Sequence, residues 1–278
     1  MDIFERYPNS TFLEKLRHPK CSIFSLPEKI KALYSHMAGQ EDPHFESQLD
    51  CDPHARIWEL MVAQIIHECG WEFQNTGTGP DFIISTSTRN ICIEAICATD
   101  GKTDLPDSVP PLQNGVASLV PTRELLLRIT SALATKAKKF SEDVKNGYAR
   151  ETDAKIIAIS SSKMMRARAG YPSLGIKATL GVGDLFVIVN TMTEGIERTG
   201  YDHTPTVTRT NAPEISCTPF EDGLMDHISG VLYSEASIFS ADYDLHRDSH
   251  FIHNHRAKVP LPAGTFAGVI NEFNSKPR

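Results

Sequence analysis

The chain has 278 residues, of which 40% are hydrophobic and 23% charged, an ordinary globular composition that excludes collagen-like, coiled-coil and broadly disordered proteins. Its net charge of -7 argues against a protein that coats nucleic acid, because non-specific affinity comes largely from Lys and Arg neutralising phosphates. That total still allows an enzyme in which metal-binding acids lie apart from a basic face. Since no stretch approaches the ~18 consecutive apolar residues of a membrane helix, and the N-terminus lacks the order of a signal peptide, a cytoplasmic protein without a membrane partner is expected.

Residues 1–50 are predicted to form a helical N-terminal extension. Prolines separate its short apolar runs, and proline ends a helix because it lacks a backbone N–H and clashes with the preceding turn. The runs are Phe12–Leu16, Ile23–Leu26 and Ile30–Met37.

Residues 51–160 are predicted to form the core, which begins with a helix from Asp52-Pro53 to Gly70. Three strands with turns between them follow this helix, and the last two form a hairpin that closes around Ser87–Asn90. A proline-rich loop over 99–121 is a candidate functional flap because of its length. The three predicted strands are Trp71–Asn75, Asp81–Thr86 and Ile91–Ala98.

The second half of the predicted core is the longest helix, from Thr122 to Gly147, and a buried strand over Lys155–Ser160. Residues 161–278 are predicted to pack on the same domain. The fold class is therefore α/β, with a mixed sheet in the order helix, three strands, helix, strand, flanked by helices. The further C-terminal elements are a strand over Gly183–Asn190, a hairpin over Ile196–Thr210, a helix over Met225–Phe239 and a strand over Phe251–Val259.

Glu94 is the first candidate site residue, because every neighbour in the run Ile91–Cys97 is apolar. A lone carboxylate in an apolar strand costs several kcal/mol unless it is paired, protonated or bound to a metal. A metal ligand and a structural salt bridge both satisfy that requirement.

Asp81 is the second candidate. If the hairpin turns on Ser87–Asn90, Glu94 lies opposite Ile83, and Asp81 lies two residues along on the same face. A diagonal spacing of ~7–8 Å lets two side chains converge on one cation. The alternative for Asp81 is a turn residue that follows Gly79-Pro80.

Glu59 is the third candidate, in the first core helix. A helix packed on the sheet can direct Glu59 at the same cation, either directly or through water. The alternative is a glutamate on a solvated helix face.

The run Gly79-Pro80-Asp81, followed by Glu94-Ala95-Ile96, resembles the PD-(D/E)XK nuclease superfamily over residues 54–160. The resemblance implies a restriction-endonuclease-like core and a Mg²⁺ or Mn²⁺ site formed by Asp81, Glu94 and Glu59. Other stretches resemble a group of uncharacterised bacterial proteins that share this core and have no assigned activity. They are Ile93–Ile96, Leu126–Lys139, Gly230–Ser234 and His253-Asn254 with Leu261-Pro262.

One residue departs from the superfamily pattern, which places a lysine two residues after the second acid, where this chain has Ile96. Because some superfamily members carry that lysine on the following helix, the long helix is the place to look. Lys136 lies at the edge of its apolar stripe and is the predicted catalytic lysine, with Lys139 and Arg128 as alternates. The competing prediction is that Lys136 extends into solvent.

The predicted function is metal-dependent hydrolysis of phosphodiester bonds in DNA, or in RNA, in defence or repair. Arg123, Arg128, Lys138 and Lys139 could contact the nucleic-acid backbone, although a solvated helix face explains them equally well. The alternatives are a binding or structural protein that kept the fold and lost catalysis, motivated by Ile96, and a hydrolase that uses the acids without a metal. Residues 161–278 have two alternative predicted roles, a substrate platform and a homodimer surface.

Overall fold

The computed structural model describes residues 2–17, 25–102, 105–113, 115–168 and 170–274. Within these ranges the helices are α1 (Ile3–Arg6), α2 (Thr11–Arg17), α3 (Leu26–Ser35), α4 (Phe45–Cys51), α5 (Pro53–Glu68), α6 (Thr122–Lys145) and α7 (Leu174–Leu180). The strands are β1 (Phe82–Ser85), β2 (Asn90–Cys97), β3 (Ala154–Ser160), β4 (Val182–Asn190), β5 (Gly195–His203), β6 (Thr206–Arg209), β7 (Ala212–Ser216), β8 (Gly230–Ser234), β9 (Ser249–His253) and β10 (Asn271–Asn274). None of these helices has the length and apolar character needed to cross a membrane.

A six-stranded mixed sheet in the order β1-β2-β3-β8-β9-β10 forms the centre of the molecule. The strands β2, β3 and β8 run parallel, whereas β1 is antiparallel to β2 and β9 is antiparallel to β8. The hairpins β4-β5 and β6-β7 form two separate two-stranded sheets. The predicted α/β class is confirmed.

The two core helices pack on opposite faces of this sheet. Along β2 the side chains alternate, so that Ile93 and Ala95 join the apolar cluster of α5 and Cys92 joins that of α6. The Trp58 indole N–H on α5 donates to the carbonyl of Ala158 on β3 over 3.1 Å, which fixes α5 across the parallel strands. Side chains of β2 at even positions therefore face α6.

The N-terminal helices share the apolar cluster of α5, as Ile3, Leu13 and Ile30 are buried in it. The predicted short helices are confirmed in α2 and α3. Of the predicted run Ile23–Leu26, residues 23 and 24 lie outside the described residues.

The predicted strand Trp71–Asn75 is wrong, because only Gln74 pairs there, in a single bridge to Ile83. Positive φ values of 68° at Gly77 and 80° at Gly79 take the chain out of the extended conformation. Pro80 has no N–H to extend the pairing. The core thus has two strands and one bridge between α5 and α6.

The helix predicted over Met225–Phe239 is also wrong, since this segment contains the central strand β8. All five residues of β8 are buried, and a strand covered on both faces reads as a continuous apolar run without alternation. Periodicity alone does not separate such a run from a buried helix.

The remaining C-terminal predictions are partly right. The strand over Gly183–Asn190 is confirmed as β4, but the hairpin over Ile196–Thr210 is wrong because β5 pairs with β4 and β6 with β7. The Asn190 side chain closes the β4-β5 turn by accepting from the backbone N–H groups of Met192 and Thr193. The final predicted strand ends at His253 instead of Val259, and β10 follows it in the sheet.

Candidate active site

The hairpin β1-β2 places Asp81 and Glu94 side by side. The predicted register is wrong by two residues, because Ile83 pairs with Cys92 and Phe82 with Ile93. Asp81, which immediately precedes Phe82, therefore lies across from Glu94 rather than diagonally from it. A shift by an even number keeps both acids on one face of the sheet, and Asp81 Oδ2 also accepts the backbone N–H of Ala95 over 2.7 Å.

Lys136 on α6 joins the two acids. Its ammonium donates to Glu94 Oε2 over 2.6 Å and to Asp81 Oδ2 over 3.4 Å. The Lys136 side chain is 14% exposed and Glu94 is fully buried. The structure thus brings together Asp81, Glu94 and Lys136, and the lysine does not extend into solvent.

Lys139, one helical turn further along α6, contacts the other oxygen of Glu94. It also donates to the carbonyl of Gly79 over 2.6 Å and to Asp143 Oδ2 over 3.1 Å. Asp143 was not among the predicted site residues, although its spacing of four residues from Lys139 is that of a helical ion pair. Both oxygens of Glu94 therefore have ammonium partners.

Burial controls the protonation of this cluster. Desolvation raises the pKa of Glu94 to about 7, and the neighbouring Asp81 charge raises it too, while Lys136 and Lys139 act in the opposite direction. Burial alone would lower the pKa of Lys139, but its hydrogen bond to Glu94 raises that pKa above the ordinary value. Glu94 is thus a carboxyl group that titrates near neutrality, a property typical of catalytic sites.

Glu59 lies nearby on α5 but does not contact either acid. Its Oε2 accepts from the guanidinium of Arg56 over 2.6 Å, and Arg56 also binds Asp42 over 2.8 Å. Burial raises the pKa of Glu59 to about 8, and the charge of Asp81 contributes in the same direction. The structure gives Glu59 an ion pair beside the acidic pair, so a role at the metal stays a prediction.

We expect Glu59→Gln to change the pH dependence of stability. A carboxyl group whose pKa is about 8 when folded and near 4.5 when unfolded favours folding fully below pH 4.5, and that contribution is lost as the pH rises towards 8. Glutamine lacks this titration, so the variant should gain roughly 3 kcal/mol relative to wild type between pH 5 and pH 8. Urea unfolding at both pH values measures the difference, and parallel stability curves would contradict the proposed titration.

The predicted nucleic-acid contacts are spread along α6. Arg123 pairs with Asp107 and Glu124, and Arg128 donates to the carbonyl of Thr99 over 2.8 Å. The Lys138 side chain is 79% exposed and lies 3.6 Å from Glu142. Of the four predicted residues, only Lys139 reaches the acids.

The donor set fits a hard divalent cation only in part. Asp81 and Glu94 offer the carboxylate oxygens that Mg²⁺ and Mn²⁺ prefer, and Mg²⁺ sites commonly use one or two carboxylates with water and substrate phosphate. However, in the described part of the chain no three His, Cys, Asp or Glu side chains are grouped to hold one metal ion. The two carboxylates that Lys136 joins are the residues that would hold the cation.

Comparisons with known proteins provide no further guide. No family model, no curated protein and no solved structure matches this chain significantly. The functional argument therefore depends on the geometry of the site.

A cleft of about 540 Å³ adjoins the acidic pair. Asp81, Arg56 and Asp42 line it together with the glycine-containing loop 75–80. Gln48 also lines the cleft, and its buried Oε1 atom has no hydrogen-bond partner within the described ranges. The cleft gives Asp81 an open side from which a substrate could approach.

Proposed function

We propose that this protein is a metal-dependent nuclease of the PD-(D/E)XK type that hydrolyses phosphodiester bonds of DNA, or of RNA, in defence or repair. The observation that carries the proposal is the Lys136 ammonium, which hydrogen-bonds to Asp81 and Glu94 at once. Two acids at neighbouring strands can hold a cation for metal-assisted phosphodiester hydrolysis, and a lysine between them can stabilise the negative charge that develops on the phosphate.

The arrangement of the chain supports the same proposal. Helix α5, strands β1 and β2, helix α6 and strand β3 are compatible with the order expected of a restriction-endonuclease-like core, with the bridge at Gln74 in place of its first strand. Ile96 lies where the superfamily pattern has its lysine, and it packs in the α6 cluster. Lys136 from α6 supplies an ammonium on the same face of β2.

In the proposed mechanism each residue has a separate task. A divalent cation held by Asp81 and Glu94 would polarise the phosphoryl oxygen and lower the pKa of a bound water. Lys136 would orient the attacking water and stabilise negative charge that develops on the phosphate. Lys139, held by Gly79 and Asp143, would keep the Glu94 carboxylate in place.

A metal titration with matched variants tests the proposal. We expect calorimetry to detect Mn²⁺ binding to wild type, and to detect none with Asp81→Ala or Glu94→Ala, because each variant removes half of the carboxylate pair. Cleavage of plasmid, single-stranded DNA and RNA with Mg²⁺ or Mn²⁺ should fall at least ~100-fold in both variants. Glu142→Ala, an exposed acid on α6, is the control and should bind and cleave like wild type.

Asp81→Ala is the more informative variant, since Glu94→Ala removes the acid that both ammonium groups share and should destabilise the fold by about 3 kcal/mol. Asp81 is 30% exposed, so its removal costs less stability. Mn²⁺ binding that persists in Asp81→Ala would place the metal elsewhere.

A second candidate function is a nucleic-acid-binding or structural protein without catalysis. The observation that favours it is the pairing of both Glu94 oxygens with lysines, which is how a structural ion cluster neutralises a buried acid. Nucleic-acid binding without Mn²⁺ binding or cleavage would support this candidate.

A further inference from the structure

The strongest unexplained feature of the molecule lies at the carboxyl ends of β3 and β8. A cavity of about 570 Å³ opens there, between Ser161–Arg168 and Glu235–Ser240, and the start of α5 closes one side. The crevice beyond the carboxyl ends of parallel strands is where open α/β sheets bind ligands. The volume lies within the ~300–1,000 Å³ of small-molecule sites.

Glu235 lines this cavity with an incompletely paired carboxyl group. Among the described residues its buried Oε1 atom has no hydrogen-bond partner. An unpaired buried acceptor costs free energy, which a donor on a bound molecule would recover. The neighbouring Tyr233 hydroxyl donates to Ser161 Oγ over 3.0 Å. The Glu235 carboxyl group can therefore accept a hydrogen bond from an N–H or O–H group of a ligand.

Two cations line the same cavity. The Lys163 ammonium lies 2.5 Å from Asp52 Oδ2, its one ion-pair partner in the described part of the chain. The Arg168 guanidinium is held by Asp248, Asp242 and the carbonyl of Glu235. Because Arg168 has several protein acceptors and Lys163 has fewer, Lys163 is the better contact for an anionic group.

The remaining wall is aromatic. The rings of His54 and Phe239 lie 4.7 Å apart at 47° to one another and line the cavity. Burial lowers the pKa of His54, so that its ring is neutral at pH 7, and a neutral ring beside Phe239 suits a planar, uncharged group. Base–aromatic stacking is a common source of affinity for nucleotides.

We propose that this cavity binds a nucleoside monophosphate whose base carries an amino group. The base lies against Phe239, the amino group donates to the Glu235 carboxyl group, and the phosphate binds Lys163. The site is separate from the acidic pair of Asp81 and Glu94, and the proposal does not depend on nuclease activity.

Calorimetric titration with two matched nucleotides tests the site. We expect AMP to bind about tenfold more tightly than purine riboside 5′-monophosphate, which has hydrogen in place of the amino group. Glu235→Met should bind the two equally, because the acceptor is gone and an apolar side chain of similar size replaces it. Lys163→Met should weaken both about tenfold, whereas inorganic phosphate alone should bind wild type weakly.

Asp81→Ala and Lys138→Met are the controls, since neither residue lines the cavity. AMP affinity equal to wild type in both variants separates this site from the acidic pair. Thermal unfolding of each variant shows whether it is folded. The proposal is overturned if wild type does not bind AMP at millimolar concentration, if Glu235→Met keeps the preference for AMP, or if Asp81→Ala abolishes binding.

Discussion

Lys136→Met is expected to separate metal binding from cleavage. The variant removes an ammonium that lies 2.6 Å from Glu94 and 3.4 Å from Asp81, where it competes with a divalent cation for the same oxygens. Without that repulsion, Mn²⁺ should bind roughly tenfold more tightly or better. Cleavage should fall about 100-fold, because the group proposed to orient water and stabilise the phosphate is missing.

Methionine keeps the volume of the lysine stem, and Lys139 continues to neutralise Glu94, so the variant should fold. Lys138→Met is the matched control on the exposed face of α6 and should leave the Mn²⁺ affinity unchanged. Calorimetry with Mn²⁺ and a plasmid assay measure the two effects. Cleavage by Lys136→Met at the wild-type rate would show that this lysine has no part in the mechanism.

Gly230→Ala should have the largest effect on stability. A Cβ at this position would lie 2.3 Å from Phe251 Cζ and 2.7 Å from the carbonyl oxygen of Ile252. Strand β8 is paired on both sides, with β3 and β9, so its backbone cannot move away without breaking a ladder. We expect a loss of about 3 kcal/mol or more, or failure to fold.

Gly195→Ala provides the comparison, because an added Cβ there meets its nearest atom at 3.5 Å, an ordinary contact. Its free energy of unfolding should stay within about 0.5 kcal/mol of wild type. Urea unfolding followed by circular dichroism compares the two variants. Equal stability of both would mean that β8 and β9 are packed less closely than described.

Local patterns were sufficient for the elements that carry the candidate site. The apolar spacing of α5 and α6 and the turn residues around β1 and β2 are properties of short segments, and they predicted these elements within a few residues. The convergence of Asp81 and Glu94 followed from the two-residue period of a strand, which holds for any even error in register. Placing Lys136 next to them required the helical period of α6 together with the resemblance to superfamily members that carry the lysine on this helix, and that reasoning left Lys139 and Arg128 as alternates.

Contacts between distant segments were not accessible in this way. The sequence predicts a helix over the segment that contains β8, because the partners β3 and β9 lie far away in the chain. The pairing of β5 with β4 depends on a turn set by Asn190. The ion pair of Glu59 with Arg56 follows from their helical spacing, but the contact of Lys139 with Glu94 depends on how deeply α6 sits against the sheet. Such details are fixed by packing rather than by residue pattern.

The position of β8 beside β3 has a consequence for synthesis on the ribosome. β3 is complete at Ser160, but the strand that covers its free edge begins only at Gly230. Until that segment emerges, the nascent chain carries a largely apolar strand with one row of unpaired amide and carbonyl groups, an arrangement prone to self-association. Chaperones would protect the growing chain most during this interval. The sheet is complete only after β8, β9 and β10, which lie in the C-terminal third of the chain, have been translated.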